Sequence, residues 1–301
     1  MTVSFNGLGS EGRLGNQMFQ YASLRGIAAN IKTDWLIPDE NVDRFDNYGL
    51  FDCFELSNCK DKNKGESLFN TYTYREMHFN QNVFDWKDGD VNFSGNYQTE
   101  RYFENIADEL REDFTFIKGY HDPCQEYIDS LGGRDNVIFL HVRRGSHNLT
   151  GQRGEKWSYQ QVQEYHPLCK KEYYLEALKE FPEDKQVVVV SDTIDWCKSQ
   201  EFFQQDRFLF NDNVERYDYT CMDGLGNMQY SLLPQVDLCL MSLCSGGIVA
   251  NSSFSWWGAW LQNDRGKVVA PDPKKWFGTS MTHLDTSDIV PDRWTIQEWS
   301  K

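Results

Sequence analysis

The run Asn136-Val-Ile-Phe-Leu-His-Val142 restricts the fold more than any other stretch of the chain. Apolar side chains occupy both alternating faces of it, so a strand here is buried on both sides, the condition of a parallel sheet covered by helices. A helical pattern follows from about Lys170 to Glu180, then Val187-Val-Val-Val190 closing on Ser191-Asp192. Shorter strand runs recur at Gly247-Ile-Val-Ala250 and Lys267-Val-Val-Ala270. Strands alternating with helices predict an α/β chain with a doubly wound parallel sheet. The break Leu131-Gly-Gly-Arg-Asp135 predicts a domain boundary, giving domains over residues 1–133 and 134–301, and 301 residues suffice for two α/β domains.

The N-terminal half opens with a strand candidate, Thr2–Asn6, a glycine-rich turn from Gly7 to Gly15, and a helix from Asn16 to about Asn30. Strand, glycine loop and helix is how nucleotide-binding α/β units begin. Residues 39–64 are irregular and charged, 69–84 read as short strands or loops, Val91–Tyr97 as a strand, and Glu100–Phe114 as one amphipathic helix. No internal repeat or low-complexity tract interrupts the chain.

With 46 acidic against 30 basic residues the net charge is -16, which repels a phosphate backbone and, with no Lys/Arg run, argues against a nucleic-acid partner. An anionic nucleotide would still bind where positive charge is concentrated, so clustered arginines are informative. The eight cysteines form no C-x-x-C pair and read as reduced, packed side chains. No secretory leader and no run of about 18 apolar residues occurs, which predicts a cytoplasmic protein with no membrane anchor of its own. The 10 tryptophans suit either sugar platforms or core packing.

Three strand ends are polar: Arg143-Arg-Gly-Ser146, Ser191-Asp192 and Asn251-Ser-Ser253. Ligands of open α/β sheets sit beyond the carboxyl ends of the strands, so these residues converge on one edge. In His141-Val-Arg-Arg-Gly145, strand alternation sends His141 and Arg143 to one face and Arg144 to the other. A guanidinium fork suits diphosphate and stays charged at any working pH; the same pair could also serve a domain interface against carboxylates. Gly12-Arg-Leu-Gly-Asn-Gln17 fits a phosphate loop or an ordinary β-to-α turn, and has neither P-loop nor dinucleotide spacing. Ser252, Ser253 and Phe254 suit a phosphate and base pocket, whereas the following tryptophans read as core. Asp192 could read a ribose or cap a helix. Asp88-Gly-Asp90 is a D-x-D that reads as a solvated turn rather than a metal site, and the six histidines lack metal-ligand spacing, so the expectation is no metal. His141, His147, Asp192, Asp113 and Glu100 are all conceivable bases for an acceptor hydroxyl, and the sequence does not choose among them.

Gly12-Arg-Leu-Gly-Asn-Gln-Met-Phe-Gln-Tyr-Ala22, Gly95-Asn-Tyr-Gln-Thr-Glu-Arg-Tyr-Phe103, His141-Val-Arg-Arg-Gly145, Ser191-Asp-Thr-Ile-Asp-Trp-Cys197, Asp237-Leu-Cys-Leu-Met-Ser-Leu-Cys244 and Asn251-Ser-Ser-Phe-Ser-Trp-Trp-Gly-Ala-Trp-Leu261 occur in this order over nearly the whole chain. Together they resemble the α-1,2-fucosyltransferase family and, more distantly, the α-1,6- and protein-O-fucosyltransferases. The resemblance implies a GT-B-like pair of Rossmann-type domains facing across a cleft and inverting transfer from GDP-β-L-fucose. It further implies no metal or other cofactor and an acceptor glycan ending in galactose, with an α-1,2 linkage. It gives Arg143 the diphosphate and the departing GDP, with His141 in support. Arg13, Asn16, Gln17, Arg144, Asp192, Ser252, Ser253 and Phe254 would bind the donor, and Tyr97 and Gln98 would lie on the acceptor side. One departure is Ser146, where family members usually carry Asp after the Arg-Arg-Gly. It leaves open a non-catalytic GDP-sugar or glycan-binding protein, or a fucosyltransferase of another linkage, and Asn148–Gln163 would then shape the acceptor mouth.

Overall fold

The computed structural model describes residues 1–10, 12–39, 49–56, 62–63, 70–74, 77–144, 158–210, 220–222, 228–230 and 234–298. They form two compact units, residues 1–117 with 280–294, and residues 118–279 with 295–301.

The first unit runs β1 (Thr2–Ser4), α1 (Leu14–Ile31), β2 (Asp34–Pro38), α2 (Gly49–Cys53), β3 (Lys62–Asn63), β4 (Asn70–Tyr74), β5 (Val91–Gly95) and α3 (Ala107–Asp113). Its strands lie in the order β3-β2-β1-β5-β4, every pairing parallel. From Leu14 to Ala28 every residue of α1 except Asn16 is buried, so this helix is the core of its unit rather than an amphipathic cover. It ends on Lys32, which adopts left-handed geometry at φ 56° and donates its N–H back to Ala28 and Ala29.

The single helix expected over Glu100–Phe114 is instead two 3₁₀ turns, Glu100–Tyr102 and Glu104–Ile106, followed by α3. Phe103, at φ -140°, separates the turns. The chain is pressed there against Gly26 of α1, where a Cβ would stand 2.0 Å from the Tyr102 carbonyl oxygen. Tyr102 and Phe103 are fully buried by this approach.

The second unit comprises α4 (Lys118–Ser130), β6 (Val137–Val142), α5 (Tyr159–Tyr165), α6 (Lys171–Leu178), β7 (Gln186–Ser191), α7 (Ile194–Ser199), β8 (Phe208–Phe210), an antiparallel pair β9 (Thr220–Met222) and β10 (Met228–Tyr230), α8 (Pro234–Leu243), β11 (Gly247–Ile248), α9 (Ser253–Trp260), β12 (Val268–Pro271) and β13 (Thr295–Gln297). The main sheet is parallel throughout, in the order β13-β12-β11-β6-β7-β8. All six residues of β6 are buried, as its apolar run demands. Ile138, Leu140, Val187, Val189, Tyr173, Ile248 and Val269 form the core on one face. Trp256, Trp257 and Trp260 of α9 are buried, with the first and last rings stacked at 6.5 Å, so these tryptophans are core. The unit begins at α4, and the glycine break near residue 132 is the turn from that helix into β6. The α/β expectation of two parallel-sheet units holds. Among the described residues no helix is long and apolar enough to cross a membrane.

Candidate functional site

In the second unit the chain leaves β6 for β7 and β8 on one side, then returns to lay β11, β12 and β13 on the other. The direction of winding reverses between β6 and β11, and open α/β sheets bind ligands in the crevice beyond the strand ends at such a switch. Arg143 follows the last residue of β6, and its Nη1 donates to the backbone oxygen of Asn251, just past β11, at 3.1 Å. Arg144 departs the opposite way. Its N–H donates to Asp192 Oδ1 at 2.8 Å beyond β7, and its guanidinium lies 3.8 Å from the centre of the Trp196 ring on α7. The arginines therefore part to different neighbours, as strand alternation requires, and Arg143 is the one at the switch point.

His141 is buried, its ring 5.9 Å from that of Phe254, and its Nδ1 has no hydrogen-bond partner among the described residues. Burial, aided by the Arg143 charge and opposed by Asp192, lowers its pKa to about 4, so the imidazole is neutral near pH 7. Phe254 and Ser253 are half-buried in the first turn of α9. Ser252, the buried N-cap residue, makes no side-chain cap bond, while Ser255 Oγ takes the Ala250 N–H at 3.2 Å. The α9 N-terminus with its positive dipole end thus opens beside Arg143, where an anion gains from both.

Around Arg143 stand Asn251, read from the sequence only as part of a polar strand end, and Cys169 and His166, which the sequence does not single out. Asn251, buried, donates from Nδ2 to the carbonyls of Pro167 at 2.7 Å and Trp276 at 3.0 Å. Cys169 Sγ donates to Asn251 Oδ1 at 3.6 Å, and burial raises its thiol to about 11. His166 caps α5, and burial together with the Arg143 charge lowers it to about 4. The one local sequence signal was the capping box of Ser158 and Gln161, which announces α5 and hence where the chain after it turns.

In the first unit the winding reverses between β1 and β5. Arg13 is exposed at the N-cap of α1. Gln17 is buried and donates to the Gly12 carbonyl at 3.1 Å, and Asn16 Oδ1 accepts from Gln98 Nε2 at 2.7 Å. Gly12 sits at φ +83°, where a Cβ would stand 2.6 Å from Asn16 Nδ2. Arg13, Asn16, Gln17 and Gln98 are thus gathered at this second switch. Tyr97, at φ 50°, packs its ring against Phe5, Phe93 and Tyr102, and its buried hydroxyl has no partner among the described residues. Burial lifts that phenol far above its usual range, so Tyr97 and the equally buried Gln98 shape the loop from within.

Of the conceivable bases, Asp113 is fully buried in an ion pair with Arg25 and accepts from Tyr21 Oη at 2.9 Å, a structural role. Glu100 pairs with Arg293 at 2.5 Å. Gly145, Ser146, His147 and residues 148–157 lie outside the described residues. Asp88 and Asp90 are exposed, and Asp90 Oδ1 accepts the Thr2 N–H at 2.7 Å.

The model of glycosyl transferase family 11 matches residues 3–295. The chain is 31% identical to an α-1,2-colitosyltransferase of Escherichia coli, covering 94% of this chain and 95% of that one. It is 26% identical to the O-antigen biosynthesis glycosyltransferase WbnK of the same organism, covering 94% and 97%. Among solved structures it resembles the fucosyltransferase NodZ from Bradyrhizobium, with a TM-score of 0.52 at 11% identity over 85% of this chain and 90% of that one. A NodZ α-1,6-fucosyltransferase soaked with GDP-fucose gives 0.51 at 11% identity over 86% and 92%. The likeness to these structures is one of fold.

Proposed function

The chain belongs to glycosyl transferase family 11, and from that membership we propose that it transfers L-fucose from GDP-β-L-fucose, with inversion, to a hydroxyl of an acceptor glycan. The observation that carries the reading is Arg143 at the switch point of the second sheet, beside the α9 N-terminus, in a chain matching the family over residues 3–295. In such a displacement the acceptor oxygen bonds to the anomeric carbon as the bond to the diphosphate breaks, and negative charge grows on the leaving GDP. A fixed guanidinium and an oriented helix end stabilise that charge without rearranging. Asp192, Ser252, Ser253 and Phe254 complete the donor pocket, His141 supports it as a neutral ring, and we propose Arg13, Asn16 and Gln17 of the glycine loop as further donor-binding residues. Arg144, stacked on Trp196, holds Asp192 in place. Gln98 and Tyr97 order the acceptor side. Cationic side chains do the work a divalent ion does elsewhere, so we propose metal-independent chemistry.

We further propose an α-1,2 linkage to a galactose-terminated acceptor and action in the cytoplasm. The colitosyltransferase relative favours one variation: colitose as the transferred sugar. Incubation of the protein with GDP-fucose, or with nucleotide-activated colitose, over a panel of galactosides separates these readings by NMR of the product. An α-1,2-fucosyl product, formed equally well in excess EDTA, is the expected outcome. Tight donor binding with neither transfer nor hydrolysis would mark a binding protein instead.

A further inference from the structure

His166 stands on an arm that one buried side chain ties to Arg143. Its N–H donates to the Val162 carbonyl at 2.7 Å as α5 ends, and its ring lies 5.5 Å from that of Phe277. The chain then passes through Pro167, whose carbonyl takes a hydrogen bond from Asn251, to Cys169, which donates to the same asparagine. The Asn251 backbone oxygen in turn accepts from Arg143. The arm is pinned from its other side as well, since Gly278 donates to the Tyr165 carbonyl at 3.0 Å and has no room for a Cβ against the Gln163 and Glu164 carbonyls. In this rigid setting the Nδ1 of His166 is buried without a hydrogen-bond partner among the described residues. A polar atom so placed costs stability unless a ligand completes it.

We propose that His166 is a further donor-binding residue, its Nδ1–H hydrogen-bonding an oxygen of the diphosphate that Arg143 holds. This rests on the reading of the reaction given above and adds a group to it. A neutral imidazole carries one N–H, and the tautomer protonated on Nδ1 is the one that serves an oxygen acceptor. Burial and the nearby guanidinium keep the ring neutral in the free protein, so it acts as a hydrogen-bond donor and leaves the charge pairing to Arg143.

The test is calorimetric titration of GDP, and of guanosine by competition, into the full chain and three variants whose folding is checked by thermal melting. His166→Ala should weaken GDP about tenfold, the worth of one net hydrogen bond. His166→Asn, which keeps an N–H near the Nδ1 position but loses the ring, should recover most of the affinity. His166→Phe, which keeps the ring on Phe277 but has no N–H, should bind as weakly as the alanine variant. Guanosine, lacking the diphosphate, should bind all four proteins alike. GDP binding by the Phe variant equal to that of the wild type overturns the proposal, as does an equal loss for GDP and guanosine. Wild-type protein that binds no guanine nucleotide overturns the proposed function, and this role with it.

Discussion

On the proposed function, Arg143 supplies charge stabilisation that exists only while the diphosphate departs. Removing one such fixed donor typically costs about 3–4 kcal/mol of transition-state stabilisation, so Arg143→Ala should cut kcat for fucosyl transfer about 10²- to 10³-fold with unchanged circular dichroism. Arg143→Lys should recover only part of this, because an ammonium restores charge without a planar fork able to serve the Asn251 oxygen and the proposed diphosphate together. A folded alanine variant of full activity would refute the assignment. Two histidines give a second residue-scale expectation. The pKa values of His141 and His166 fall from an ordinary 6.5 to about 4 in the folded chain, chiefly through burial. Above about pH 6.5 both are neutral whether folded or not, and stability is unaffected. Between 6.5 and 4 the unfolded chain binds the extra protons, so stability drains away as pH falls, by about 3 kcal/mol per histidine at the lower end. Urea midpoints from pH 7 to 4.5 should therefore fall less steeply for His166→Phe than for the wild type. Parallel slopes would mean that the ring is charged in the folded protein.

Helices and strands depend on close backbone approach at positions that composition alone does not reveal. In an exposed helix, Gly→Ala gains about 1 kcal/mol of helix propensity. At Gly26 the new methyl would instead meet the Tyr102 carbonyl oxygen at 2.0 Å, a backbone contact that cannot swing aside. Gly26→Ala should lower stability by about 1–3 kcal/mol despite its better propensity, measurable as a drop in the urea midpoint at constant m-value. A stabilised variant would show that α1 and the Tyr102 turn are free to separate. The same contact explains why Glu100–Phe114 looks like a continuous helix in sequence and is not one. By contrast β6 and β7 were legible, because burial on both faces leaves an apolar run that few other structures produce. Helix α4 was hidden by Pro123 and Gly119, which break a pattern of buried residues at Cys124 and Ile128. Arg143 and the Asn251–Phe254 corner could be singled out as polar strand ends. That they meet depends on β11 lying beside β6, a pairing of segments more than a hundred residues apart that local pattern does not encode. Cys169 and His166 went unassigned for this reason: their chemistry lies in what the sheet order brings next to them.

At the scale of the whole molecule, a donor bearing roughly two negative charges must reach a protein of net charge -16. The two parts of that encounter respond differently to salt. Approach is governed by the far field, and its repulsion is screened over about 10 Å at 0.1 M ionic strength and about 3 Å at 1 M. Holding, on the proposed function, is governed by the groups that would contact the diphosphate, Arg143 and the end of α9, at separations inside the screening length. Rising salt should therefore speed association by removing repulsion and leave dissociation nearly unchanged, the reverse of what a basic nucleotide-binding surface does. Stopped-flow binding of a fluorescent GDP analogue from about 0.02 to 0.3 M NaCl reads both rates. An association rate that falls with salt would mean that the positive field around Arg143 and Arg144 extends into solvent and outweighs the surrounding carboxylates. The site would then steer its ligand in, rather than capture it on contact.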